Sequence, residues 1–207
     1  MHLMKASFTI LLLSTASAFP LTKENAVGVT LGSSRASSVE AHIGVTADNN
    51  PVPLGWQKSV LDYHNGYRAH HQVAPLRWND TLAKAAQQSA SRCDFALTPN
   101  NPYGENIAAG TYSNPDYYVY MWYNASLKYD YHNPGFSYTT GTFTQVVWKD
   151  TTQLGCGWVD YCRNGWPKML FCEYSPAGNI LPNSNFATQV LRPVANPPAP
   201  SPPPMIL

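Results

Sequence analysis

Charged side chains are scarce in this chain of 207 residues. Lys and Arg together number 13, Asp and Glu together number 12, and the formal net charge is +1. The basic residues are scattered and form no run, so no nucleic-acid-binding surface is predicted. Neutral polar groups must therefore solvate much of the surface, and attached glycans are candidates to contribute.

Long apolar runs are also missing, apart from residues 6–13 near the start. This run follows Lys5 and precedes Ala16-Ser17-Ala18, a pattern typical of a secretory signal peptide that is cleaved after Ala18. The run is too short to span a bilayer. Residues 1–18 are predicted to be a signal peptide, and the mature protein is predicted to be secreted and extracellular, without stable membrane insertion.

Cysteine is limited to four residues, and four cysteines allow three disulfide pairings. Because no Cys-x-x-Cys spacing occurs, disulfides in an oxidising compartment are favoured over a zinc site. The strong reversal signal Asn164-Gly165 favours a bridge between Cys162 and Cys172. Cys93 and Cys156 then form the second bridge.

Two sequons fit the acceptor pattern for N-linked glycosylation. They are Asn79-Asp80-Thr81 and Asn124-Ala125-Ser126. In a chain that enters the secretory pathway, both Asn79 and Asn124 are candidate glycosylation sites.

Composition divides the chain into a leader, one domain and a tail. Residues 19–54 have little periodicity and are predicted to be a flexible leader. Residues 55–190 form the predicted domain, and the proline-rich tail of residues 191–207 is expected to be extended and unpacked. This tail is either inert or a ligand for partner domains.

Helical spacing predicts a first helix from Trp56 to about His71, and a second from Asn79 or Asp80 to Cys93. Small residues on the second helix, such as Ala86 and Ala90, permit close packing. A third helix is predicted from Pro115 to about Leu127, and a fourth near residues 143–149. Residues 155–160 and 169–174 are predicted to be paired strands, which gives an α+β fold.

Two segments resemble the signatures of a known family. Residues 141–149 are Gly-Thr-Phe-Thr-Gln-Val-Val-Trp-Lys, and residues 171–180 are Phe-Cys-Glu-Tyr-Ser-Pro-Ala-Gly-Asn-Ile. Both resemble the CAP superfamily (SCP/TAPS), which includes plant pathogenesis-related protein 1 and fungal Pry-type sterol-binding proteins. The resemblance covers about residues 56–185 and implies a disulfide-linked, three-layer α-β-α sandwich. The cysteine pairing given above agrees with the pairing that the resemblance implies.

The resemblance also implies a cleft in which two histidines and two glutamates could hold a divalent metal. Glu105, within Gly104-Glu105-Asn106, matches one of these four positions. The other three positions hold Leu97, Ala125 and Thr142, which cannot supply the same ligands. We therefore predict no metal, no cofactor and no catalytic residue, and we expect Glu105 to be a hydrogen-bonded structural anchor.

A loop from Tyr129 to Phe136 resembles the caveolin-binding-type loop that Pry-type proteins use for sterols. The candidate sterol contacts are Tyr129, Tyr131 and Phe136, whose aromatic faces could form an apolar wall. Alternatively, Tyr131 and Phe136 only pin the loop to the core. The resemblance also implies, in some members, a fatty-acid groove, placed here beside the first and fourth helices.

Three function classes follow from these residues. The first is a secreted, non-catalytic binding protein for a sterol or fatty acid. The second is an extracellular interaction module that engages a protein partner in host–microbe contact without a lipid ligand. A hydrolase ranks last, because no serine or cysteine nucleophile has a visible base beside it.

Overall fold

The computed structural model describes residues 8–10, 44–45, 51–52, 55–163 and 165–206. The predicted signal peptide and leader therefore lie outside the described residues, apart from three short strands. These strands are β1 (Phe8–Ile10), β2 (Gly44–Val45) and β3 (Pro51–Val52). Strands β2 and β3 pair with each other in antiparallel fashion, separately from the main sheet.

Helices and strands then alternate through the predicted domain. In chain order they are α1 (Gly55–His70), β4 (Arg77–Trp78), α2 (Asp80–Ser91), β5 (Gly104–Gly110), α3 (Pro115–Asn124), the 3-10 helix η1 (Ala125–Lys128), α4 (Gly141–Val146), β6 (Gln153–Val159), β7 (Lys168–Ser175), the 3-10 helix η2 (Asn183–Asn185) and α5 (Phe186–Gln189). The four predicted helices and the two predicted strands are confirmed. The fourth helix begins and ends earlier than expected, and β5 was not predicted.

Five strands form the central sheet in the order β1-β5-β7-β6-β4. Strand β7 lies in the middle and pairs in antiparallel fashion with β5 on one side and β6 on the other. The short strands β1 and β4 run parallel to β5 and β6 respectively. The buried strand β5 carries Glu105, so this unpredicted element positions the residue that matches the family cleft.

Helix α2 covers one face of the sheet at very short range. It begins where the Asn79 side chain accepts hydrogen bonds from the backbone N–H groups of Thr81 and Leu82. A Cβ added at Gly155 or Gly157 of β6 would lie 2.1 or 2.2 Å from backbone nitrogens of α2. Glycine in the strand therefore permits the close packing that the small residues of α2 predicted.

Helices α1, α3 and α4 cover the opposite face. Their contact with the sheet buries a cluster that includes Tyr67, Trp122 and Phe143. Arg68 is fully buried, and its guanidinium donates to the backbone carbonyl oxygens of Ala74, Val146, Trp148 and Thr151. These hydrogen bonds tie α1 to the segment after α4. Helices on both faces of one sheet confirm the α-β-α sandwich.

The predicted disulfide pairing is wrong. The bridges join Cys93 to Cys162 and Cys156 to Cys172. Cys156 and Cys172 lie directly opposite each other on β6 and β7, whereas Cys162 lies in the connection between these strands. Cys93 follows the end of α2 with a positive φ of 52°, and it meets this connection. Strands β6 and β7 do run in opposite directions, as the reversal signal predicted, but their register places Cys172 opposite Cys156.

The expectation that the tail is unpacked is also wrong. Residues 191–206 run along the domain, where Val194 donates from its backbone N–H to the carbonyl oxygen of His70. An imidazole nitrogen of His70 lies 2.9 Å from the carbonyl oxygen of Pro197. Near the end, the backbone N–H of Ser113 donates to the carbonyl oxygen of Ile206 at 2.6 Å. Proline keeps the segment extended, and its free carbonyl groups still accept hydrogen bonds from the domain.

Candidate functional site

Glu105 lies near the start of β5 and is almost fully buried. One carboxylate oxygen accepts a hydrogen bond from the backbone N–H of Thr98 at 2.8 Å, and the other accepts from the Thr98 hydroxyl at 2.6 Å. These donors satisfy the carboxylate inside the protein. The geometry therefore agrees with the expected role of Glu105 as an anchor.

Glu173 on β7 lies directly opposite Glu105 and is also almost fully buried. Burial raises the pKa of Glu173 to about 9, and the charge of Glu105 and a hydrogen bond with its carboxyl group act in the same direction. The Asn101 amide, which donates to Glu173 at 2.7 Å, and the positive charge of Arg92 oppose this shift. At neutral pH the Glu173 carboxyl keeps its proton and donates a hydrogen bond to Glu105.

The residues at the other family-cleft positions have separate partners. Thr142 is buried, its hydroxyl donates to the carbonyl oxygen of Trp122 at 3.4 Å, and its own carbonyl oxygen accepts from Asn106. Ala125 is buried in the main cluster, whereas Leu97 is exposed. Because Asn106 and Glu105 are consecutive on β5, their side chains point to opposite faces of the sheet. The hydrogen bonds of Glu105 and Thr142 therefore form on different faces.

Two buried histidines, His64 of α1 and His71 directly after this helix, are packing residues. His64 lies 2.8 Å from the hydroxyl of Tyr174, and His71 lies 3.1 Å from the hydroxyl of Tyr123. Burial lowers the pKa of each imidazole to about 4, so both are neutral at pH 7. Among the described residues, no three His, Cys, Asp or Glu side chains converge as a metal site would require.

The aromatic loop borders a small open cavity of about 240 Å³. Tyr129 and Phe136 line it, together with Thr140 and Asn183. The lining also contains the charged or polar residues Lys128, Asp130, Asn133 and Ser137. The Asn183 side chain accepts a hydrogen bond from the backbone N–H of Phe136 at 3.1 Å, which fixes the end of the loop. Asn183 lies far along the chain from the aromatic motif, so the motif gave no signal for its role.

The three candidate aromatic residues have different surroundings. Tyr129 is buried edge-to-face against Phe143, and its ring centroid lies 4.8 Å from that of Tyr131. The guanidinium of Arg192 lies 5.2 Å from the Tyr131 ring centroid. Phe136 is half-buried and lines the cavity. Tyr131 is also half-buried, and it does not belong to the cavity lining, so Tyr129 and Phe136 are the two candidate aromatic residues that border the cavity.

Thr140 is the polar group that sequence reasoning missed. Its hydroxyl is buried in the wall of the cavity and has no hydrogen-bond partner in the structure. An unsatisfied buried hydroxyl costs about 1–3 kcal/mol, so such groups are rare unless a ligand or water satisfies them. The hydroxyl of Tyr129, in the same lining, is also buried without a partner. The cavity therefore combines two aromatic rings with two unpaired hydroxyl groups.

Within the described residues, no helix is both long and apolar enough to cross a membrane. This finding concerns the helices α1 to α5 and the two 3-10 helices of the domain and its tail.

Comparisons with known proteins agree with this architecture. The model of the cysteine-rich secretory protein family, CAP, matches residues 61–174, which is more than half of the chain. Protein PRY2 of Saccharomyces cerevisiae is 42% identical over 137 residues, covering 64% of this chain and 40% of that protein. Secreted protein RBT4 of Candida albicans is 38% identical over 151 residues, covering 66% of this chain and 40% of that protein. The chain thus spans about 40% of the length of these two relatives.

A solved structure shares the fold. The venom allergen-like protein 4 of Schistosoma mansoni has a TM-score of 0.53 and is 21% identical, covering 64% of this chain and 99% of that chain. The segment that matches the family model, residues 61–174, contains most of α1. It also contains strands β4 to β7, apart from the last residue of β7. The chain therefore belongs to the cysteine-rich secretory protein (CAP) family, as a Pry-like member.

Proposed function

We propose that this protein is an extracellular binding protein that takes up a sterol in the cavity beneath the aromatic loop. One observation supports the choice above others, namely the unpaired Thr140 hydroxyl in a wall that also contains Phe136 and Tyr129. A sterol presents a flat apolar ring system with one hydroxyl group. The rings of Tyr129 and Phe136 beside buried, unpaired hydroxyl groups complement both features.

The size of the cavity limits how much of the ligand it can enclose. Its volume of about 240 Å³ is below the range of about 300–1,000 Å³ that is typical of small-molecule sites. We therefore propose that only the hydroxyl-bearing end of the sterol enters. Phe136, which is half-buried in the lining, would contact the rings that remain outside.

Binding without catalysis fits the titratable groups of the domain. The carboxylate of Glu105 is occupied by Thr98, and Glu173 keeps its proton at neutral pH. His64 and His71 are buried and neutral. General acid–base chemistry needs groups within reach of a substrate, and these four groups are enclosed by the fold.

Titration of the secreted protein with a fluorescent sterol tests the proposal. Thr140→Val keeps the shape of the side chain but removes its hydroxyl, and it should weaken sterol binding about fivefold, as expected for one lost hydrogen bond. Binding of a 3-deoxy sterol should not change in this variant. Phe136→Ala should weaken the binding of both sterols. Tyr161→Ala, at an exposed position outside the cavity lining, should leave the binding of both unchanged.

The variants also separate ligand contact from packing. Thr140→Val should leave the thermal midpoint unchanged or slightly higher, because it removes an unsatisfied polar group. Equal affinity of Thr140→Val and the parent for the hydroxylated sterol would contradict the proposed orientation. Absence of saturable sterol binding by the parent protein would overturn the function and favour the extracellular interaction module.

A further inference from the structure

A second and larger cavity lies on another side of the domain. Its volume is about 390 Å³, within the usual range for small-ligand sites of about 300–1,000 Å³. One wall is a stripe on α3 in which residues three and four apart share a face. This wall contains Tyr117, Tyr120, Met121 and Asn124. Tyr112 and Trp166 belong to the remainder of the lining, and neither belongs to the aromatic loop described above.

The chemistry of this cavity suits a sugar. None of the described residues that line it carries a charge. The ring centroids of Tyr112 and Tyr117 are 4.4 Å apart, and those of Tyr117 and Tyr120 are 5.6 Å apart, so the tyrosines form a continuous aromatic surface. Aromatic rings pack against the C–H faces of a pyranose, and tyrosine hydroxyl groups can bond to its hydroxyl groups. A neutral saccharide presents both kinds of surface.

The position of Asn124 identifies the occupant. Asn124 is the last residue of α3, is exposed, and lines the cavity at the end of the tyrosine stripe. It is also the acceptor of the sequon that ends at Ser126. A sugar attached to its side-chain nitrogen would begin at the rim of the cavity. A glycan on Asn124 would be covalently attached to the wall of the cavity, whereas a free ligand would have to bind from solution.

The other sequon has a different environment. The Asn79 side chain accepts from the backbone N–H groups of Thr81 and Leu82 and donates to Gln153 at 2.7 Å. These bonds cap α2 and connect it to β6, so the amide is already used by the fold. Asn124 has no such cap bond at the start of the 3-10 helix η1. The two sequons are therefore structurally unequal.

We propose that Asn124 is the N-glycosylated residue and that the first sugar of its glycan, an N-acetylglucosamine, lies in this cavity against Tyr120. The glycan shields an aromatic surface that would otherwise face solvent in a chain with few charged residues. The proposal shares with the proposed function the assumption of export, but it does not depend on sterol binding.

The occupancy test uses the full chain expressed in a eukaryotic host that adds N-linked glycans. Mass spectrometry of its peptides should find a glycan on Asn124 and little or none on Asn79. Ser126→Ala should remove the mass of one glycan, whereas the matched variant Thr81→Ala should not change the mass beyond the substitution. Protein in the medium with Asn124 bare would overturn the proposal while leaving export intact.

Nuclear magnetic resonance tests where the sugar lies. Ring currents should move the N-acetyl methyl resonance of the first sugar upfield of its position in the free glycan. Tyr120→Ala retains the sequon but removes part of the wall, and it should return this resonance to the free position. A parent protein whose acetyl methyl resonance already lies at the free position would overturn the placement in the cavity.

Discussion

Glu105 on β5 and Glu173 on β7 lie directly opposite each other in the sheet, and their carboxyl groups share a hydrogen bond. Both are almost fully buried. Two buried carboxyl groups in contact cannot both ionise without a large electrostatic cost, so one of them retains a proton. The glutamate that matches the family cleft is therefore part of a structural pair.

This pair should make the free energy of unfolding depend on pH. The pKa of Glu173 is about 9 in the folded protein against 4.5 for an ordinary glutamate, so the folded state binds the proton more tightly. The stabilisation is fully present below about pH 4.5 and is lost as the pH rises towards 9. Glu173→Gln mimics the protonated carboxyl and should be more stable than the parent at pH 8 by on the order of 3–5 kcal/mol.

Urea unfolding of both proteins at pH 4, 6 and 8 measures this difference. The difference in the free energy of unfolding should be small at pH 4 and should grow with pH. Groups that titrate in both proteins contribute equally to both, so they do not affect this difference. Asp62→Asn is the matched control, because Asp62 is exposed and forms only a surface ion pair with Lys58. Parallel pH profiles for the parent and Glu173→Gln would contradict the shared proton.

Close packing of α2 on β6 predicts a strong effect of one methyl group. In Gly157→Ala the new Cβ would lie 2.2 Å from the backbone nitrogen of Gln87 and 2.3 Å from its Cα. Backbone cannot rotate away as a side chain can, so α2 must move. We expect a loss of about 3 kcal/mol or more in urea unfolding, at the upper end of the usual cost of overpacking.

Gly135→Ala provides the comparison. Its new Cβ would meet the Asn183 side chain, at 2.9 Å from Nδ2, 3.0 Å from Cγ and 3.4 Å from Cβ. That side chain is exposed and can shift at the expense of its hydrogen bond from Phe136, so the loss should remain at about 1 kcal/mol. Similar losses for both variants would show that α2 does not pack as tightly as the structure indicates.

The revised disulfides can be checked by digestion under non-reducing conditions. Linked peptides should contain Cys93 with Cys162, and Cys156 with Cys172. The first bridge joins residues 69 positions apart, so Cys93→Ala with Cys162→Ala should cost about 4 kcal/mol by the chain-entropy model. A linked peptide with Cys162 and Cys172 would instead restore the pairing expected from the sequence.

The successes and failures of sequence reasoning have local causes. The start of α2 was predictable because Asn79 caps its own neighbours, and such contacts need no tertiary structure. Strand β5 was missed because Ile107 is its only β-branched residue, and the strand depends on pairing with β7. The same pairing joins Glu105 to Glu173, so their shared proton could not be predicted without the register. The cysteine error arose likewise, because Asn164-Gly165 marks a reversal without fixing which residues face each other.

The packed tail makes a final prediction about Gly66 in α1. A Cβ at this position would lie 2.4 Å from the ring of Pro200, so Gly66→Ala should displace the tail. Alanine also favours a helix over glycine by about 1 kcal/mol. In a chain that ends at Val194, Gly66→Ala should therefore stabilise by about that amount, whereas in the full chain the gain should disappear because a tail contact is lost. Urea unfolding of the full and the shortened chain, each with and without Gly66→Ala, gives the coupling energy between position 66 and the tail. An identical gain in both chains would mean that the tail does not pack on α1 in solution.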